Sequence, residues 1–148
     1  MFTKILNSRL LQVLHKIIRV KNSNFSLLLL RLLGGGLMLL HGYPKLMKII
    51  EGNTGFADPL GIGEELSLYL AVFAEFVCSI LILVGLYVRW AVIPYIFTMV
   101  IAVFVIHAGD PLQKQELGLL YLGIGILILL NGSGKYSLDY RIKRRSYL

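Results

Sequence analysis

A four-helix transmembrane bundle, all-α and preceded by a basic amphipathic interfacial helix, is the fold this chain predicts, and three observations predict it. The 148 residues are 57% hydrophobic and only 16% charged, whereas an ordinary soluble domain is nearly half apolar and about a quarter charged. Four long apolar stretches run from Phe25 to Tyr43, Leu66 to Val88, Trp90 to Ile106 and Leu117 to Leu130, close to the roughly 20 residues that a spanning helix needs. Within them, runs such as Leu27 to Leu30 and Ser79 to Leu86 are almost continuously apolar, which does not fit the alternating pattern of a membrane β-barrel.

The first 24 residues carry Lys4, Arg9, Lys16, Arg19 and Lys21 and no acid. Leu6, Leu10, Val13, Leu14, Ile17 and Ile18 fall on one helical face with most of the basic residues opposite, the pattern of a helix lying in the membrane interface. The segment lacks the uninterrupted apolar core and small-residue cleavage site of a signal peptide, so it is expected to be retained. Residues 25–134 form the membrane domain and residues 135–148 a basic tail.

In the first span Arg31, Gly34, Met38, His41 and Lys45 recur at intervals of three and four, so they share one stripe that must face protein. Gly34, Gly35 and Gly36 remove side chains near the midpoint and permit close helix approach. Pro44 disfavours helical geometry at Tyr43, and the span is expected to end or bend just after Gly42. The loop from Lys45 to Glu65 contains Gly52-Asn53-Thr54-Gly55 and Asp58-Pro59-Leu60-Gly61, both turn chemistry, while Phe56, Leu60 and Ile62 can fold it back on the bundle as a lid or a plain connection.

The second span carries Glu75 with Ser79 and Ile82 on one inward stripe. At about 1.5 Å per residue, Glu75 lies roughly 3 Å to one side of the midplane and Arg31 roughly 5 Å to the other. The remaining gap of about 8 Å is within an arginine's reach, and an Arg31–Glu75 structural ion pair is expected. Cys78 has no cysteine partner, which excludes dithiol chemistry for this chain alone. The third span ends at His107 and the fourth begins at Glu116. With His41 and Lys45 they converge on one face, and together with Glu75 they form the candidate binding pocket. Such a cluster can hold an anionic headgroup, donate to a quinone carbonyl, relay protons or ligate a metal. No spacing such as H-x-x-x-H supplies a metal site, so none is expected, nor haem. The fourth span stops at Gly132. Gly132-Ser133-Gly134-Lys135 is not a phosphate loop, because Leu129 and Tyr136 stand where Gly and Ser or Thr are required.

Net charge is +7, but the positive residues lie at the chain ends, beside the spans. Attraction to anionic lipid accounts for them, and no nucleic-acid partner is expected. By the preference of Lys and Arg for cytoplasmic segments, both termini face the cytoplasm and the acidic Lys45–Glu65 loop faces outward.

Arg31, His41-Gly42-x-x-Lys45, Glu75, Gly85-Leu86 with Arg89, His107, Glu116 and the closing Gly132-x-Gly134-Lys135-Tyr136-Ser137-Leu138-Asp139, in this order and spacing, resemble the DoxX family of small bacterial membrane proteins. The match spans about Leu28 to Asp139, with Cys78-Ser79 where members often carry paired glycines. The resemblance implies a four-helix bundle in the bacterial inner membrane, associated with terminal quinol oxidase or thiosulfate:quinone oxidoreductase systems. It implies an accessory or subunit of a quinone-linked oxidoreductase, with quinone as the ligand and other membrane subunits, or further copies of the chain, as partners. A membrane assembly factor and a small-solute or proton pathway are the alternatives. The chain itself carries no evident redox centre, so whether it is an enzyme stays open.

Overall fold

The computed structural model describes residues 23–146. Four helices in it are long and apolar enough to cross a membrane, as the apolar stretches predict. They are α1 (Ser23–Ile50), α2 (Glu64–Val84), α3 (Val88–Ile106) and α4 (Leu112–Asn131), followed by a short α5 (Leu138–Arg145). Each spanning helix packs on the next in the chain, and α4 closes the ring against α1. Among the described residues there is no strand. The expected amphipathic helix over residues 1–24 lies, but for its last two residues, outside the described residues.

Glycine sets the closeness of α1 and α2. A Cβ on Gly35 would come within 2.8 Å of the Ser79 carbonyl oxygen, and one on Gly42 within 2.7 Å of the Glu75 carbonyl. Both positions are one turn-pair apart on the same α1 face, so backbone meets backbone along this seam. The core between the helices is completed by Met38, Cys78, Ile82, Val92, Tyr95 and Ile128.

Three boundaries differ from expectation. Helix α1 does not stop with its apolar stretch at Tyr43 but continues through Pro44 to Ile50. A proline inside a membrane helix is tolerated where neighbouring helices support it, and here the Gly42 face is pressed against α2. Helix α2 ends at Val84 rather than Val88, because Gly85 takes the left-handed conformation (φ 80°) and Gly85 and Leu86 both donate back to the Leu81 carbonyl, a helix-terminating motif that glycine makes easy. Helix α4 begins five residues earlier than its apolar stretch, at Leu112.

Two π-helical turns interrupt the spans, Phe73–Val77 in α2 and Ala102–Ile106 at the end of α3. Single π-turns occur frequently at functional sites; the first lies at the middle of α2 and the second at the end of the bundle capped by the Glu51–Gly63 loop. That end is called the loop face; the opposite one, with the α2–α3 turn and α5, is the tail face.

Candidate functional site

The ionisable residues of the spans divide between the two faces. At the tail face Arg31 is 1% exposed. Its Nε donates to the Ile82 carbonyl at 2.9 Å and its Nη2 to the Leu83 carbonyl at 2.9 Å. Nη1 reaches the carbonyls of Ser133 at 2.8 Å and Tyr136 at 2.9 Å. Two of these acceptors are last-turn carbonyls of α2, where a cation is favoured by the helix dipole. The other two belong to the segment after α4, so one guanidinium ties the tail to the α2 terminus. Asp139 completes the junction by accepting from the N–H groups of Tyr87 (2.8 Å) and Val88 (3.1 Å) at the start of α3.

The expected Arg31–Glu75 pair is therefore corrected. With α2 ending at Val84, antiparallel packing aligns Arg31 with Ile82 and Leu83, roughly 12 Å along the helix from Glu75. Glu75 instead accepts from the Lys45 ammonium in an ion pair across the α1–α2 seam. The continued helix beyond Pro44 is what carries Lys45 to this position. The Glu75 side chain retains 5% of its exposure and that of Lys45 24%.

This pair forms part of a loop-face cavity of about 220 Å³ that His41, Lys45, Glu75 and His107 line with Met38, Gln115 and Tyr121. Four of the five expected pocket residues thus come together. Glu116 does not: it is exposed on α4 and its neighbour Gln115 lines the cavity. His41 stands edge-on to Tyr121, ring centroids 5.6 Å apart, a favourable aromatic geometry.

His107 ends the second π-turn, its N–H donating to the Ala102 carbonyl at 3.0 Å. Nδ1 lies 2.7 Å from the Asp110 carboxylate, while Gln115 Nε2 donates to the His107 carbonyl at 2.6 Å. A carboxylate on Nδ1 fixes that nitrogen as the donor and leaves Nε2 as an acceptor. The hydrogen bond from His107, and then that from Lys114 at 3.3 Å, hold the Asp110 carboxyl below the usual carboxylate range.

Asp110 and Tyr121 escaped the sequence reading. Asp110 lies three residues past His107 in a turn, and Gln115, Gly118, Tyr121, Gly125 and Ile128 form a stripe at three- and four-residue spacing that marks the inward face of α4. No group of three His, Cys, Asp or Glu among the described residues is placed to hold a metal ion.

The loop packs over a second cavity of about 500 Å³, lined by Phe56, Leu60 and Ile62 of the loop and by α2 and α3. Asp58 fixes this loop to α2 by accepting from Ile62 N–H (3.0 Å), Gly63 N–H (2.8 Å) and Ser67 Oγ (3.0 Å). These bonds, that from Gly63 foremost, hold the Asp58 carboxyl below its ordinary range. The Lys45 ammonium lies 5.8 Å over the Phe56 ring, within cation–π range.

The family model that matches this sequence is DoxX, over residues 26–108. The match takes in α1, α2 and α3 and every polar residue of the cavity except those contributed by α4 and the turn before it. No curated protein and no solved structure matches the chain.

Proposed function

Because the chain belongs to the DoxX family, we propose that this multi-pass membrane protein is a subunit or accessory of a quinone-linked oxidoreductase, with the His41–Lys45–Glu75–His107 cavity as the headgroup site. The observation that carries the reading is the pairing of a carboxylate-oriented His107 with the Lys45–Glu75 ion pair around one small cavity within a membrane bundle. At about 220 Å³ the cavity is smaller than the roughly 300–1,000 Å³ of sites that enclose a whole small molecule. It suits a single ring.

Quinone, when bound, would supply two-electron, two-proton redox chemistry, with a partner subunit as the source or acceptor of the electrons. The residues of this chain provide the polar environment. Lys45 would donate a hydrogen bond to a ring carbonyl while Glu75 balances its charge in the bundle. His107 exchanges a proton at Nε2, and Asp110 stabilises the imidazolium that results. Tyr121 sets the position of His41 at the cavity mouth.

Orientation follows from charge. Lys135, Arg141, Lys143, Arg144 and Arg145 crowd the tail face, and Glu51, Asp58, Glu64 and Glu65 the loop face, so the site lies in the outer half of the bacterial inner membrane with the tail in the cytoplasm. The protein purified from membranes in mild detergent is expected to carry extractable quinone and to bind added quinone saturably. A quinone-free preparation that co-purifies stoichiometrically with another membrane protein and ignores added quinone would favour the assembly-factor reading instead. The lipid-sided surface of α4, of whose most apolar stretch 17% is buried within this chain, is where such a partner helix, or a second copy, would pack.

A further inference from the structure

The headgroup cavity has a larger neighbour across the ion pair. Lys45, Glu75, Ala102 and His107 line both the polar cavity and the larger one beneath the loop, so the two spaces share a wall made of the residues assigned to the headgroup. The larger space is otherwise mostly apolar, with Ser67 and Thr98 the other polar side chains in its lining. Its floor is the crevice between α2 and α3, opened by the small side chains of Ala71, Ala74 and Ala102 and by Pro94, and its roof is the loop segment 56–62. Both π-turns border it, each inserting an extra residue into its helix and shifting the residues that follow. Leu70, Phe73, Phe97 and Ile106, which also line it, are exposed on the outer surface of two spanning helices. The rim of the space therefore includes residues on the outward surface of the spans, where the bilayer lies.

We infer that this loop-roofed crevice is a lateral port that admits the quinone from the bilayer and houses its prenyl tail while the ring sits against Lys45, Glu75 and His107. The inference rests on the quinone reading of the smaller cavity. Two features favour a tail over a separate ligand. The charged groups lie only at the inner end, and along the rest of the wall only the Ser67 hydroxyl, which is given to Asp58, and Thr98 interrupt apolar side chains, so an occupant is polar at one end and largely apolar along its length. At about 500 Å³ the crevice falls in the range of small-molecule sites, while the neighbouring cavity is too small for more than a headgroup. The roof is fixed by the Asp58 bonds and by Phe56 beneath the Lys45 ammonium, which links loop position to the ion pair that the ring would contact.

The test uses the full chain in lipid nanodiscs with three probes, 2-methyl-1,4-naphthoquinone without a tail, the same ring bearing a short prenyl tail, and a prenyl alcohol without the ring. Thr98→Phe on α3 and Leu70→Phe on α2 fill the crevice from opposite walls without touching the polar cavity, and either suffices if the other fails to fold. Each variant is expected to weaken the tailed quinone at least tenfold relative to wild type while changing the tail-less one less than twofold. If both quinones bind the variants as they bind wild type, the port is overturned and the headgroup site stands. If neither quinone binds wild type but a prenyl alcohol binds saturably and loses affinity in the variants, the tail site stands and the quinone reading fails. Absence of saturable binding by all three overturns both.

Discussion

Lys45 and Glu75 form an ion pair across the closest seam of the bundle, where Gly42 brings the α1 backbone against the carbonyl of Glu75 itself. The acid is almost wholly withdrawn from solvent and the base only partly so. Removing one partner of a buried pair strands the other and typically costs about 3–5 kcal/mol, more than the pair itself contributes. Lys45→Met is thus expected to lower the melting temperature in detergent more than Glu75→Gln, since it leaves the more deeply buried charge alone. The double variant is expected to recover part of the loss, a positive coupling in a double-mutant cycle. Additive losses would show that the pair does not act as a unit.

Gly42 tests the seam more sharply. Alanine there places a Cβ 2.7 Å from the Glu75 backbone, whereas Gly123 in α4 has nothing within 4 Å. Gly42→Ala is expected to destabilise by a few kcal/mol, the range of overpacking, and Gly123→Ala to be neutral or to stabilise by up to about 1 kcal/mol through helix propensity. Thermal melting of the two single variants side by side gives the comparison.

Arg31 and Gly85 make a separate, structural junction. Arg31→Met takes the guanidinium from four carbonyls, of which that of Ile82 keeps the Gly85 N–H, at about 1–3 kcal/mol for each buried acceptor that finds no substitute. Arg31→Lys is not expected to rescue it, because one ammonium cannot reproduce the planar fork that reaches two segments at once. Gly85→Ala puts a Cβ 2.6 Å from Arg31 Nη2 at a positive φ, and both variants are expected to release the tail. Trypsin cleavage at Arg141–Arg145, faster in the variants than in wild type, is the readout.

The two loop acids give a pH dependence with a definite sign. Asp58 and Asp110 are both held below their ordinary range, so each is more acidic in the folded than in the unfolded chain. Their contribution is complete above the unfolded value of about 3.9 and is lost as pH falls through the lower folded values. Melting temperature is expected to drop more steeply below about pH 4 in wild type than in the Asp58→Asn, Asp110→Asn double variant.

Much of this arrangement was legible in the residues, for physical reasons that also explain the failures. Apolar runs with few charges have one economical solution in a bilayer, so the four spans follow from composition, and three- and four-residue spacing correctly turns Arg31, Met38 and Lys45 toward protein. The partner of Glu75 was not legible. It depended on a helix boundary at Gly85, a left-handed glycine stop packed against Arg31, and on helix continuing past Pro44, where Gly42 is packed against Glu75. The π-turns at Glu75 and before His107 have no residue signature. Asp110 and Gln115 entered the site through a turn whose geometry three residues of sequence do not specify, which is why Glu116 was expected in Gln115's place.

His107 offers the most direct test of the headgroup site. It lies at the cavity wall, is oriented by Asp110 and takes no part in the helix seams, so His107→Leu removes the Nε2 acceptor while leaving the α1–α2 and Arg31 junctions in place. Quinone titration of the folded protein in nanodiscs is expected to give saturable binding of one molecule per chain, weakened at least tenfold by His107→Leu, a difference of about 1.4 kcal/mol. Quinone binding that is non-saturable in wild type, or equal in wild type and His107→Leu, would contradict the assignment of this cavity.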